Sequence, residues 1–124
     1  MASNFRVLGA GVWGLAFSDY LLKLGHNVEI FCRDTNLSNR DIIGLELSHI
    51  SDDNIKSLGA LNAQKSNDEI NIIAVNSKGF SDLLNKHECY FGSLNELISL
   101  TKGLDHTSGK YFSNYVFDMF GNIK

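Results

Sequence analysis

Residues 7–34 read VLGAGVWGLAFSDYLLKLGHNVEIFCRD, and the order of apolar runs and glycines in this stretch decides the fold. Residues 5–8 (FRVL), which run into it, are short, mostly apolar and end at glycines, the pattern of a strand. Over residues 13–24 the period changes. Leu15, Phe17, Leu21, Leu22 and Leu24 include i, i+4 and i+7 spacings with no proline among them, which predicts an amphipathic helix. Gly25 stops it, because glycine takes the left-handed conformation just past a helix end. Residues 28–32 (VEIFC) are β-branched and aromatic, so they read as a second strand. Strand, helix and strand in such close succession form a βαβ unit, with parallel strands and a right-handed crossover.

Outward from this unit, residues 35–53 are polar and weakly periodic, with 41–47 as a short helix. Residues 60–64 read as a weak strand, and 66–69 (SNDE) as a turn. Residues 70–75 (INIIAV) are almost continuously apolar, as a parallel strand covered on both faces must be. A helix opens over 80–84, a strand spans 96–101 (ELISLT), and a helix closes the chain over 108–120. In that last helix Phe112, Tyr115, Val116 and Met119 recur at spacings of three and four. Strands alternating with helices predict an open, mainly parallel, doubly wound sheet between two helical layers, an α/β/α single domain over residues 1–124.

Composition narrows the function. The net charge of −3 supplies no basic face for a nucleic-acid backbone. Cys32 and Cys89 have neither metal-ligand nor disulfide-framework spacing, so they read as reduced thiols in a cytoplasmic protein. His26 reads as a structural or capping residue, and His49, His87 and His106 show no metal spacing, so no metal site is expected. Ser77, Ser99 and Ser113 lack a nucleophile-elbow context. The amino terminus lacks a basic-then-apolar export pattern. No apolar run approaches the ~18 residues of a membrane span.

The glycines at the first strand–helix seam form G-x-G-x-x-G, as Gly9, Gly11 and Gly14. After a strand and opening a helix, this is the dinucleotide-binding pattern of a Rossmann-like domain. Gly9 permits the tight turn, Gly11 lets a pyrophosphate approach the backbone, and Gly14 lets helix and strand pack closely. The helix N-terminus then presents unpaired N–H groups and partial positive charge to the phosphates. The end of the second strand, Cys32-Arg33-Asp34, selects the cofactor. Arg33 suits the 2′-phosphate of NADP by charge and bidentate geometry, while Asp34 keeps NAD open. NADP is therefore placed ahead of NAD.

VLGAGVWG, LGHNVEIFCR, IIAVNS, LISLTKGLD and SGKYFS occur in that order, and together they resemble the N-terminal cofactor domain of NAD(P)-dependent glycerol-3-phosphate dehydrogenase. Trp13 in the glycine loop, the Gly25-His26-x-Val28 turn and Thr101-Lys102-Gly103 are the discriminating parts. The resemblance implies cofactor contacts from Val12, Trp13, Arg33 and Asn76, and contacts from Lys102 to both cofactor and a small phosphate-bearing substrate. It also implies hydride transfer between NAD(P)H and dihydroxyacetone phosphate, giving glycerol 3-phosphate for phospholipid synthesis. Asn76-Ser77 departs from the family's Pro-Ser, and the segment between Arg33 and Ile70 departs from its pattern. The family's helical C-terminal domain, which carries the catalytic lysine, has no counterpart in these 124 residues. No catalytic residue is therefore expected in this chain, and the isolated chain is expected to be inactive, with a separate or missing C-terminal domain. An apolar patch of Phe112, Tyr115 and Phe120, if left uncovered, would favour self-association. The alternatives are another β-hydroxyacid-type dehydrogenase, against which Thr101-Lys102-Gly103 argues, and a stand-alone NAD(P)-binding or sensing module without dehydrogenase activity.

Overall fold

In the computed structural model, which describes residues 2–33, 48–61, 69–76, 79–94, 96–101, 111, 114, 116 and 119–121, the sheet is built around β1 (Asn4–Leu8). On one side β1 pairs with β2 (Asn27–Cys32), and β2 with β3 (Ile55–Ser57). On the other side β1 pairs with β4 (Glu69–Ile73), and β4 with β5 (Ile98–Ser99). All four pairings are parallel, and the order is β3-β2-β1-β4-β5. The chain builds outward from β1 in one direction and then in the other, so the strand order reverses between β1 and β4. That is the doubly wound arrangement the alternation of elements predicts.

Period-two alternation gives each strand two faces, and both are apolar. Val7, Ile30 and Ile72 point to one side, into a core with Leu15 and Leu21 of α1 (Val12–Lys23). Their neighbours Leu8, Phe31 and Ile73 point to the other. There they meet Phe80, Leu83 and Leu84 of α2 (Phe80–Lys86) and Tyr90 and Phe91 of α3 (Glu88–Gly92). Register places Val7 beside Ile30 and Ile72, and Leu8 beside Phe31 and Ile73. A one-residue slip would turn both sets onto the wrong layers.

α1 ends as its sequence predicts. Gly25 has φ +91°, its N–H donates to Leu22 O at 3.0 Å, and the His26 N–H donates to Leu21 O at 3.1 Å. This pair of bonds is a Schellman stop. His26 is a structural residue: its Nδ1 accepts from the Ser3 N–H at 3.0 Å and its ring meets Phe5 edge-on.

The edges differ from expectation. A strand that the sequence reading did not expect forms at Ile55–Ser57, upstream of the one expected over 60–64, with Ile55 as its buried anchor. Leu58–Ala60 is a 3-10 turn, closed by Ser57 Oγ accepting from the Gly59 N–H at 3.2 Å, and residues 62–64 lie outside the described ones. The strand expected over 96–101 shortens to Ile98–Ser99; Ile98 is exposed, and among the described residues β5 pairs with β4 alone. Its ladder is extended by the Leu100 N–H to Ile73 O at 2.8 Å and the Thr101 hydroxyl to Val75 O at 2.7 Å. The helix read over 41–47 lies outside the described residues. In the closing segment Asn114, Val116, Met119 and Phe120 are helical, while Phe112 and Tyr115 lie outside. Phe120 does not stand on an open patch: its ring packs 6.3 Å from that of Phe91, against the core. Among the described residues no helix is long and apolar enough to cross a membrane.

Candidate functional site

At the carboxyl end of the sheet, β1 and β4 run out side by side and their continuations diverge, one into α1 and the other toward α2. A cleft of about 400 Å³ opens there. Gly9, Ala10 and Gly11 form one wall and Ala74, Val75 and Asn76 another. Cys32 and Arg33 enter from the end of β2, and Leu58, Gly79 and Leu83 complete it. This is the switch point of a doubly wound sheet, where ligands bind in such folds.

The three motif glycines have different work. Gly9 has φ +116°, and a Cβ there would lie 2.6 Å from Ala74 O, so both conformation and space demand glycine. The Gly9 N–H donates to Phe31 O at 2.8 Å and the Ala74 N–H to Leu8 O at 2.8 Å, which ties the turn to β2 and β4. At Gly14 a Cβ would lie 2.5 Å from Gly9 O, so the first turn of α1 can sit on the loop only without one. Ser18 seals the same contact, donating to Gly14 O at 2.7 Å. At Gly11 a Cβ would meet nothing within 4 Å. Its backbone is ordinary and extended, with φ −77° and ψ −171°. The fold therefore needs Gly9 and Gly14 for its own packing, whereas the room at Gly11 serves the cleft.

Gly11 is also the N-cap of α1. No side chain caps this end, and no acid stands in the first turn. Helix polarity places about half a positive charge at such an end, with N–H groups directed outward. A bare wall, free donors and positive potential together suit a diphosphate. Val12 opens the helix, and Trp13 beside it is 75% exposed and stands outside the cleft lining.

Arg33 lines the cleft, and its Nη2 lies 3.2 Å from Asp82 Oδ2 on α2. Asn76 stands where the resembling family carries proline, and here the side chain shapes the turn. Its Oδ1 accepts from the Gly79 N–H at 2.9 Å, and its carbonyl oxygen from the same N–H at 3.1 Å. A hydrogen bond thus restrains what a fixed φ would otherwise restrain. The structure brings Gly9, Gly11, Arg33 and Asn76 to one cleft, with Gly14 packed behind the loop. Lys102 and Asp34 lie outside the described residues. Sequence reasoning missed Cys32, Leu58 and Leu83 as lining residues. Cys32 was open to inference as the last residue of a strand; Leu58 and Leu83 gain their place through contacts between distant segments.

The sequence and this geometry agree with comparisons to known proteins. A family model described as the N-terminus of NAD-dependent glycerol-3-phosphate dehydrogenase matches residues 4–124. The chain belongs to this family. Relatives named glycerol-3-phosphate dehydrogenase, of the NAD(P)+ type, include those of Brachyspira hyodysenteriae, 31% identical over 116 residues, and Halorhodospira halophila, 28% identical over 121. A third, from Thioalkalivibrio sulfidiphilus, is 27% identical over 120 residues. The matches cover 89%, 94% and 93% of this chain but 34%, 36% and 36% of the relatives. The chain thus spans about a third of the glycerol-3-phosphate dehydrogenases it matches, and the family model places it at their N-terminus.

Proposed function

We propose that the glycine turn and its cleft hold NADP(H) or NAD(H), and that the chain acts as the cofactor-binding half of a glycerol-3-phosphate dehydrogenase. The observation that carries this is Gly11. Two glycines of the motif are accounted for by packing, and the third leaves a gap that no part of the described protein fills. In this reading the backbone of Gly9 and Gly11, with the first turn of α1 at Val12 and Trp13, holds the pyrophosphate. Gly14 keeps helix and loop together. Arg33 faces the ribose 2′-phosphate, which places NADP ahead of NAD, and Asn76 presents the edge of β4 to the cofactor. Lys102 holds the phosphate of the substrate and touches the cofactor.

Bound nicotinamide supplies the hydride exchanged with C2 of dihydroxyacetone phosphate or glycerol 3-phosphate. The proton on the C2 oxygen needs a positioned acid or base. In this reading that group comes from the portion of the relatives that this chain does not match.

The test is thermal unfolding with NADPH, NADH and glycerol 3-phosphate. A ligand at a hundredfold excess over its Kd adds about 2.7 kcal/mol, roughly a 10 °C rise in Tm for a domain of this size. Stabilisation by nucleotide, enhanced by glycerol 3-phosphate, supports the dehydrogenase reading. Stabilisation by nucleotide alone favours a sensing module. In Gly11→Val the added side chain enters the cleft and not the protein, so nucleotide stabilisation is expected to vanish. The unliganded Tm should change by the equivalent of about 1 kcal/mol or less, the scale of an altered N-cap. A Gly11→Val protein that still gains the full shift overturns the proposal.

A further inference from the structure

Asp82 holds two cations at the rim of the cleft. Its Oδ2 lies 3.2 Å from Arg33 Nη2 and 3.0 Å from Lys86 Nζ. Lys86 is four residues further along α2, so helix geometry sets its ammonium beside the carboxylate. Arg33 arrives from a different element, just past the end of β2. The Arg33 side chain is 75% exposed and that of Asp82 47%. Water screens such a pair, so an anion entering the cleft can compete for the guanidinium.

The two nicotinamide dinucleotides meet this arrangement differently. A ribose 2′-phosphate brings close to two negative charges and needs the guanidinium that Asp82 holds. It is also repelled by the Asp82 carboxylate. A 2′-hydroxyl is neutral and feels neither effect strongly. Lys86 works in the opposite sense, because it offsets the carboxylate.

We propose that Asp82 is a specificity-determining residue, whose carboxylate, shared between Arg33 and Lys86, holds down the preference for the 2′-phosphorylated dinucleotide. The inference rests on the nucleotide reading above. It adds a residue of α2, 49 positions from Arg33 in sequence, to the selection of the cofactor.

The experiment measures Kd for NADPH and for NADH at about 50 mM salt. It uses the parent chain, Asp82→Asn, Asp82→Ser, Lys86→Gln, Arg33→Ala and the double variant Asp82→Asn with Arg33→Ala. Asp82→Asn and Asp82→Ser are expected to raise the NADPH-to-NADH affinity ratio about fivefold, the scale of one screened carboxylate near a dianion. Lys86→Gln should lower it. In the Arg33→Ala background the effect of Asp82→Asn should shrink to less than half, since the two residues are coupled. Raising salt to about 500 mM should shrink the fivefold change as well. If both nucleotides bind and neither Asp82 variant moves the ratio, this inference falls while the nucleotide reading stands. If the parent binds neither nucleotide, both fall.

Discussion

The two halves of the sheet are finished by different means. Toward the amino ends of the strands, side chains close the structure. Arg6 sits on β1 in register with Glu29 on β2 and Asn71 on β4. Its Nε lies 3.3 Å from Glu29 Oε1 and its Nη2 3.8 Å from Glu69 Oε1. The guanidinium stands about 6 Å from the rings of Phe31 and Tyr90. The Tyr90 hydroxyl donates to Asn71 Oδ1 in the buried interior. Toward the carboxyl ends small residues leave the backbone of the turn bare beside Arg33 and Asn76. Gly9, Gly11 and Gly79 line the cleft with Ala10, Ala74 and Val75. A network of matched donors and acceptors at the amino ends ties β1, β2, β4 and α3 to one another through their side chains. The glycine turn at the other end is held by backbone contacts, with Gly9 against Ala74 and Gly14 against Gly9.

The contrast can be broken in graded steps. Gly9→Val is expected to be the most severe, because it forces a branched side chain to φ +116° and into the Ala74 carbonyl. A loss above about 4 kcal/mol in urea unfolding is expected, on the scale of large steric and strain defects. The contrast with Gly11→Val, a neighbour in the same motif, separates glycine kept for packing from glycine kept for a ligand.

At the closed end, Tyr90→Phe removes the donor to Asn71 and should cost about 1–2 kcal/mol, the scale of a buried polar group losing its partner. Burial pushes the Tyr90 phenol above its ordinary value, with Arg6 pulling the other way. The folded state therefore favours the protonated phenol. Its contribution is complete below about pH 10 and is lost as pH rises through the elevated folded value. Urea midpoints measured from pH 8 to 11 should fall at the alkaline end for the parent, and fall less for Tyr90→Phe.

Gly25→Ala tests the turn below the sheet. A Cβ there meets nothing within 4 Å, so only the φ of +91° penalises it, by about 1 kcal/mol. Arg33→Ala is the smallest in stability, within about 0.5 kcal/mol, since its ion pair with Asp82 is on the surface. If it instead unfolds the protein, the open end is held by more than backbone.

The closed end also shows where sequence reading falls short. Nothing in the spacing of Arg6, Asn71 and Tyr90 marks them as partners, because their contacts span three elements. β3 escaped, and β5 was read longer than it is, for a related reason. Strands of three and two residues carry no usable alternation, and pairing with a longer neighbour defines them. By contrast β1, α1, β2 and β4 announce themselves, since period two, period three to four and a stop glycine are all local signals. So is G-x-G-x-x-G, whose place after a strand and before a helix already points to a dinucleotide.

Local chemistry, then, is enough for the first βαβ unit, the buried strand read at residues 70–75 and formed at 69–73, the glycine turn and the resemblance that places the chain in its family. The order β3-β2-β1-β4-β5, the division of labour among Gly9, Gly11 and Gly14, and the meeting of Arg33 with Asp82 are properties of the assembled sheet. Each depends on atoms far apart along the chain. Dihedral preferences and side-chain periodicity act within a few residues, whereas a steric limit such as that between Gly9 and the Ala74 carbonyl exists only after two distant strands lie side by side.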